Sequence, residues 1–262
     1  DREGFDLVAY WARSGLMDLV RATGADPAPA LPGMGDHPTA VSLYAAILTA
    51  LFKRQQTGEG SHVHTSLLAN GMWSASCIAQ GVFAEADFTL YRHLSSHLFT
   101  RLLYEAADGR WLQFSMVRTD EEVDMLFTAI GRPDLLLDPR FVTAELRVEH
   151  GNVLVEEMKA ALISETSDHW MQVLTELGVP VALVGRVDEL TSDPQVIANN
   201  MAITPTPEVG MPSVINHPLN VEGLATRPAG PAPDLGEHSE AILAELGYTP
   251  TDIARAKEQG VI

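Results

Sequence analysis

Apolar positions along this 262-residue chain recur with helical and with alternating periods, and the longest helical run sets the frame for the rest. Val41, Leu43, Tyr44, Ile47, Leu48, Leu51 and Phe52 recur at helical spacing, which predicts a long amphipathic helix. Asp36 and Pro38 mark its start, because Asp is a favoured N-cap and proline suits a first turn whose N–H groups lack helical partners. Lys53 and Arg54 stand near its C-terminal end, where cations suit the helix dipole. Gly58 and Gly60 then read as a tight turn, and the alternation over 61–67 reads as a strand. A second helix, rich in Ala and Met and buried, is expected over 68–86. Upstream, 4–19 reads as extended chain entering a helix, and Pro27, Pro29 and Pro32 punctuate a loop that leads into the Asp36 turn.

Beyond a linker at 88–97 the pattern changes to that of a smaller domain. Residues 103–114 read as a hairpin with Asp108-Gly109 at its turn. A helix over 119–130 is closed by Gly131 and Pro133. Helices over 148–163 and 167–177 follow, then a short strand over 178–184. Val209 to Pro218 carries turn residues and a short apolar run, and 226–233 is a Pro/Ala-rich linker before two closing helices. The sequence holds no internal repeat, low-complexity segment, P-loop or dinucleotide fingerprint.

Composition narrows the function classes. A formal charge of −18 argues against nucleic acid and anionic membrane surfaces as general partners. The 46% apolar content is ample for a core, and no run of about 18 apolar residues is present to span a membrane. One cysteine, Cys77, excludes an internal disulfide framework and suits a reducing compartment, so a cytoplasmic location is expected. Cys77 lies in a small, apolar helical context, where buried packing is expected rather than reactivity.

Asp36 is the leading candidate for chemistry. On local pattern it reads first as a plain N-cap, and the same pattern does not exclude a reactive group. A carboxylate at a helix start is kept ionised by the dipole and the nearby N–H groups. Gly33 and Gly35 carry no side chain, so a substrate can approach the backbone closely. Such a carboxylate can act as a nucleophile, with adjacent N–H groups stabilising a developing oxyanion. His62 and His64 place two imidazoles on one face of the expected strand, a spacing that some metal sites use. With no further Asp/His constellation in the sequence, they read as polar strand residues, and no metal is expected.

Gly35-Asp36-His37-Pro38-Thr39, the helix behind it, and Lys53-Arg54-Gln55-Gln56-Thr57-Gly58-Glu59-Gly60 together resemble the family III CoA-transferases. That family includes formyl-CoA, carnitinyl-CoA and bile-acid CoA transferases and the 2-methylacyl-CoA racemases. Further similarities are Gly4-Phe5-Asp6, the Asp-Gly hairpin, Asp193-Pro194-Gln195 and Leu235-Gly236-Glu237-His238-Ser239, so the resemblance covers nearly all of the chain. Thr39-Ala40 departs from the usual Thr-Gly. Glu237-His238 reads as helix capping and packing rather than an acid/base pair.

The resemblance implies an α/β fold: part of a Rossmann-like large domain over 1–90, a smaller α+β domain over 91–225, and a linker with C-terminal helices over 226–262 returning to the first. It implies an interlocked homodimer, no bound cofactor, and a coenzyme A thioester and a carboxylic acid as substrates. Asp36 and Asp6 are the implied catalytic residues, with Gly35, His37, Phe5 and Arg2 lining the substrate. A CoA site in so acidic a chain must be locally basic or supplied elsewhere. The Arg2-to-Asp6 stretch lies well inside family members, so this chain reads as a C-terminal portion. The racemase branch carries a His where Phe5 stands, and Phe cannot move an α-proton, which favours transferase over racemase. His37 keeps the racemase alternative open as a substitute base, and an inactive fragment or subunit is the third possibility. The absence of glycines between Leu90 and His97 sets the chain apart from the branch that handles oxalate and formate, and leaves a larger acyl group open.

Overall fold

A computed structural model describes residues 4–22, 24–86, 99, 103–114, 117 and 119–262. They form two compact units, Asp1–Val184 and Gly185–Ile262.

In the first unit the chain opens with a π-helix at Asp6–Ala12, a rare element that favours functional sites. Phe5, just ahead of it, keeps the extended backbone expected there, and its carbonyl accepts the N–H of Val8 at 3.1 Å and of Ala9 at 2.8 Å. Gly15, at φ +90°, reverses the chain into the short α1 (Leu16–Leu19). Tyr10, Trp11, Leu16 and Ala75 form a small buried cluster. Trp11 Nε1 donates to the Ala28 carbonyl at 2.8 Å and so ties the proline-rich loop to that cluster.

The long helix forms as expected: α2 runs over Asp36–Thr57 and ends on Gly58 at φ +76°, a left-handed cap that suits glycine. Its apolar side chains are not covered. No residue of α2 is buried, and Phe52 is 64% exposed. Val41, Leu43, Tyr44 and Phe52 spread around the helix rather than along one stripe, the distribution of a helix made to be enclosed.

The strand expected over 61–67 does not form. Among the described residues no neighbouring chain completes a ladder, and alternation alone does not hold a strand. Ser66 instead caps α3 (Leu67–Ser74), accepting the Ala69 N–H at 3.1 Å. The single buried helix expected over 68–86 is two helices, α3 and α4 (Ser76–Phe83), broken at Ala75, which drops into the Tyr10 cluster. Gly71 faces the π-helix so closely that any Cβ would strike the Tyr10 carbonyl and the Ser14 side chain. With that face committed, Trp73 points outward at 79% exposure, and Cys77 is exposed as well, against the expectation of burial.

The larger core lies further along the same unit. The hairpin forms as expected: β1 (Leu103–Glu105) pairs antiparallel with β2 (Trp111–Phe114), Tyr104 opposite Leu112, with Gly109 at φ +72° in the turn. β3 (Val181–Leu183) adds to the other edge of β2, narrower than expected. Tyr104, Leu112 and Phe114 pack against α5 (Asp120–Ala129), α7 (Gly151–Leu162) and α8 (Ser167–Glu176) through Leu126, Phe127, Leu154, Met158, Trp170 and Leu174. The helix expected over 148–163 begins earlier and is divided at His150, with α6 (Ala144–Glu149) before α7. Thr119 and Glu122 form a capping box at the start of α5. The Tyr104 hydroxyl donates to the Phe99 carbonyl at 2.6 Å, and burial holds its phenol well above the usual tyrosine range.

The second unit is thinner. α9 (Pro194–Ala198) is capped by Asp193, and β4 (Ala202–Ile203) pairs with β5 (Val214–Ile215). α10 (Ser239–Glu245) and α11 (Pro250–Glu258) pack on one another, joined by a Lys257–Glu240 ion pair at 2.5 Å. Among the described residues no helix is long and apolar enough to cross a membrane. The architecture is mixed helix and sheet.

Candidate active site

The joint between the Gly-rich turn and α2 is built from three segments: the π-helix, residues 33–39 and α3. Gly33 takes φ +86°, and the His37 ring lies over it, so close that a Cβ at 33 would stand 3.1 Å from the ring. A side chain there would be strained by the left-handed conformation and tight against the ring.

Asp36 is the first residue of α2, not its N-cap. Gly35 occupies the cap position and offers no side chain. The reason is local. For a cap at 36, the first-turn donors would be the N–H groups of residues 38 and 39. Pro38 has none, and the Thr39 N–H is already bonded to the Gly35 carbonyl at 3.1 Å. The Asp36 carboxylate is therefore exposed and makes no hydrogen bond or ion pair among the described residues.

The other N–H groups of the turn are also committed. His37 donates to the Gly33 carbonyl at 3.1 Å, and Gly35 donates to Asp6 Oδ1 at 2.8 Å. That leaves the N–H groups of Gly33 and Asp36 without an acceptor among the described residues, fewer free donors for an oxyanion than the sequence suggests.

Asp6 lies at the start of the π-helix and is only 8% exposed. Its Oδ2 is buried without a partner, and so is Thr39 Oγ1, one turn into α2. Buried polar atoms normally find partners, so two orphans around one turn are unusual. Any Cβ at position 35 would collide with Asp6 Oδ1 and the Tyr10 side chain, so glycine is required here for room. Tyr10 in turn shares a 2.6 Å hydrogen bond between its hydroxyl and Ser74 Oγ, fastening the π-helix to α3. Ser42 Oγ donates to Asn70 Oδ1, and Asn70 Nδ2 donates to Thr65 Oγ1 at 2.8 Å, fastening α2 to α3.

The structure thus brings Asp6 and Gly35 together across the chain and sets Asp36 and His37 on the adjoining turn. Phe5 precedes Asp6 and is exposed. Arg2 and the 88–97 linker lie outside the described residues. His62 and His64 have ring centroids 5.7 Å apart, and no group of three or more metal-ligating side chains occurs among the described residues. Tyr10, Ser74 and Gly71 were not singled out for the site by sequence reasoning. Their only signal was the π-helix contact, which no local pattern announces.

A mixed helix/sheet protein with an uncommitted carboxylate at a glycine-rich helix start is the class that fold and site define. The chain belongs to CoA-transferase family III, whose family model matches residues 1–239. It is similar to the (R)-2-hydroxy-4-methylpentanoate CoA-transferase of Clostridioides difficile, at 30% identity over 264 residues that cover 100% of this chain and 66% of the relative. It is also similar to the cinnamoyl-CoA:phenyllactate CoA-transferase of Clostridium sporogenes, at 26% identity over 97% of this chain and 62% of the relative. Among solved structures, a CAIB/BAIF family protein from Brucella suis superposes with a TM-score of 0.78 at 24% identity, over 94% of this chain and 63% of that one. The chain therefore spans about two thirds or less of the length of these proteins.

Proposed function

We propose that the protein moves CoA between an acyl-CoA thioester and a free carboxylic acid, with Asp36 as the covalent relay. The observation that carries this reading is the Asp36 carboxylate, placed at a helix start and left without a capping duty. In the first step a carboxylate oxygen of Asp36 attacks the thioester carbonyl, the C–S bond breaks, and CoA leaves as thiolate. This yields a mixed anhydride. The thiolate then attacks the Asp36 carbonyl, the anhydride C–O bond breaks, and the donor acid departs, leaving an aspartyl-CoA thioester. The acceptor carboxylate displaces the thiolate to form a second anhydride, and thiolate attack on the acceptor carbonyl gives the new acyl-CoA and restores Asp36. A carboxylate suits this relay because an anhydride preserves the activation of the thioester. The N-terminal end of α2 favours negative charge at the reacting centre.

Gly35 and His37 line the approach to Asp36 in this reading, Phe5 and Arg2 complete the substrate surface, and no metal or redox group takes part. The remaining proposals follow the family resemblance: a Rossmann-like large domain contributing 1–90, a small domain over 91–225, returning helices at 226–262, a homodimer, and a cytoplasmic setting. The uncovered apolar residues of α2 support an intimate assembly.

The test is one incubation in D2O of the protein made from its full coding sequence, with an acyl-CoA bearing an α-hydrogen and succinate as acceptor. Mass spectrometry follows both the acid on CoA and deuterium at the α-carbon. A new CoA ester that disappears in Asp36→Ala is expected. Deuterium uptake without acid exchange would overturn the transferase reading in favour of a racemase.

A further inference from the structure

We propose that Asp6 is a positioning residue, whose hydrogen bond to the Gly35 N–H holds the turn that presents Asp36 and so leaves the Asp36 carboxylate free to react. This rests on the proposed role of Asp36 and assigns Asp6 a task distinct from acid/base chemistry.

A helix start carries several N–H groups without partners, and the nearest side-chain acceptor is drawn onto them. In a capping box the N-cap N–H is taken by a Glu or Gln three residues on. Here that position is Pro38, which has no acceptor side chain. The N–H of Gly35, the cap residue, is bound instead by Asp6, 29 positions earlier, at 2.8 Å and fully inside the protein. The acceptor that the helix start lacks locally is thus supplied from another element. Among the described residues the 35, 37 and 39 N–H groups are all accounted for, so none of these first-turn donors draws the Asp36 carboxylate back onto the turn.

The anchorage of Asp6 fits this task. It opens a π-helix, an irregular turn that costs regular hydrogen bonding and persists where function holds it. That π-helix is pinned by two elements: by α3, through the Tyr10–Ser74 hydrogen bond and the close approach of Gly71 to the Tyr10 carbonyl, and by the proline-rich loop, through Trp11 Nε1 on the Ala28 carbonyl. Gly35 is equally constrained, because only the absence of a Cβ lets its N–H reach Asp6. A carboxylate held on rigid backbone against the peptide that precedes the nucleophile sets where the nucleophile stands. The second oxygen, Oδ2, is buried and unpartnered, so a single oxygen carries the interaction.

The experiment compares wild type with Asp6→Asn, Asp6→Ala and Asp6→Ser in the protein made from its full coding sequence. Two quantities are read: kcat and KM for CoA exchange, and amide hydrogen exchange of the peptide containing Gly35. Asn keeps an acceptor oxygen of the same reach and removes only the charge. Asp6→Asn is expected to keep kcat within about threefold and to keep the Gly35 amide protected. Asp6→Ala is expected to lose about 100-fold in kcat at little change in KM, the scale of an ångström-size misplacement, with Gly35 exchange accelerated. Asp6→Ser, too short to reach, is expected to match it and stands in if the alanine variant does not fold. The proposal is overturned if Asn loses as much kcat as Ala while Gly35 stays protected, since the charge itself is then required. It is overturned equally if Ala and Ser leave kcat or the Gly35 amide unaffected. Should Asp36→Ala keep full activity, the function reading fails by itself, and the Gly35 exchange rates in the Asp6 variants still decide whether the clamp exists.

Discussion

The carboxylate of Asp6 accepts the N–H of Gly35 at 2.8 Å, joining the first turn of the π-helix to the residue just ahead of Asp36. Two acidic residues 30 positions apart in the chain thereby divide one helix start between them: Asp6 bonds the backbone, and Asp36 is left uncommitted.

Because the Asp36 side chain holds nothing in place, its replacement separates chemistry from stability. Asp36→Asn is expected to keep the folding stability within about 0.5 kcal/mol, as for an exposed site without partners among the described residues. The same variant is expected to lose at least ~10³-fold in kcat, as removal of a covalent nucleophile does. Thermal unfolding and steady-state CoA exchange on one preparation check both.

Gly35→Ala has the opposite profile. A Cβ there meets Asp6 Oδ1 and the Tyr10 side chain, neither of which is the loose end of a flexible chain. The expected cost is about 1–3 kcal/mol, the range for forcing an extra carbon into a packed site. Denaturant unfolding measures it. A cost no larger than that of a surface alanine would mean that the turn relaxes without loss.

Tyr10→Phe removes one hydrogen bond and no packing. Tyr10 is buried, but its partner Ser74 is exposed, so water can replace the lost contact on the serine side. The loss is expected at the low end of the range for a hydrogen bond, about 0.5–1 kcal/mol. A matching loss in Ser74→Ala, and a double variant no worse than either single one, would identify the pair as the source.

Asp108 predicts a pH dependence in the small sheet. Its Oδ2 accepts both the N–H and the hydroxyl of Ser167, at 3.2 and 2.7 Å, linking the hairpin turn to the start of α8. The Ser167 hydroxyl, then the backbone donors, hold its carboxyl below the usual range. A carboxylate favoured in the fold contributes stability that is fully present above its unfolded value near pH ~4. That contribution is lost as the pH falls through the lowered folded value. Wild type is therefore expected to exceed Asp108→Asn in Tm at pH 7 and to converge with it in acid. A gap that stays constant down to the acid limb would assign the difference to shape rather than charge.

Much of this was readable in the chain. The α2 helix, the Asp108-Gly109 hairpin, the α5 start at Thr119 and the closing helices follow from signals a few residues long: apolar spacing, a capping pair, a glycine at positive φ. The family was readable too, since it rests on motifs that stand in sequence. What misled was pattern without a partner. The alternation at 61–67 has no neighbouring chain among the described residues, and Trp73 and Cys77 sit outward because Gly71 faces the π-helix.

At the site the division is sharper. The sequence by itself determined that an Asp stands in a glycine-rich turn at a helix start, with a proline two positions on. Only tertiary structure decided which group takes the N–H of Gly35, the residue just ahead of this Asp. The acceptor is Asp6, 29 residues away. Local periodicity carries no information about such a contact, because it is made by chain folding back on itself rather than by neighbours along it.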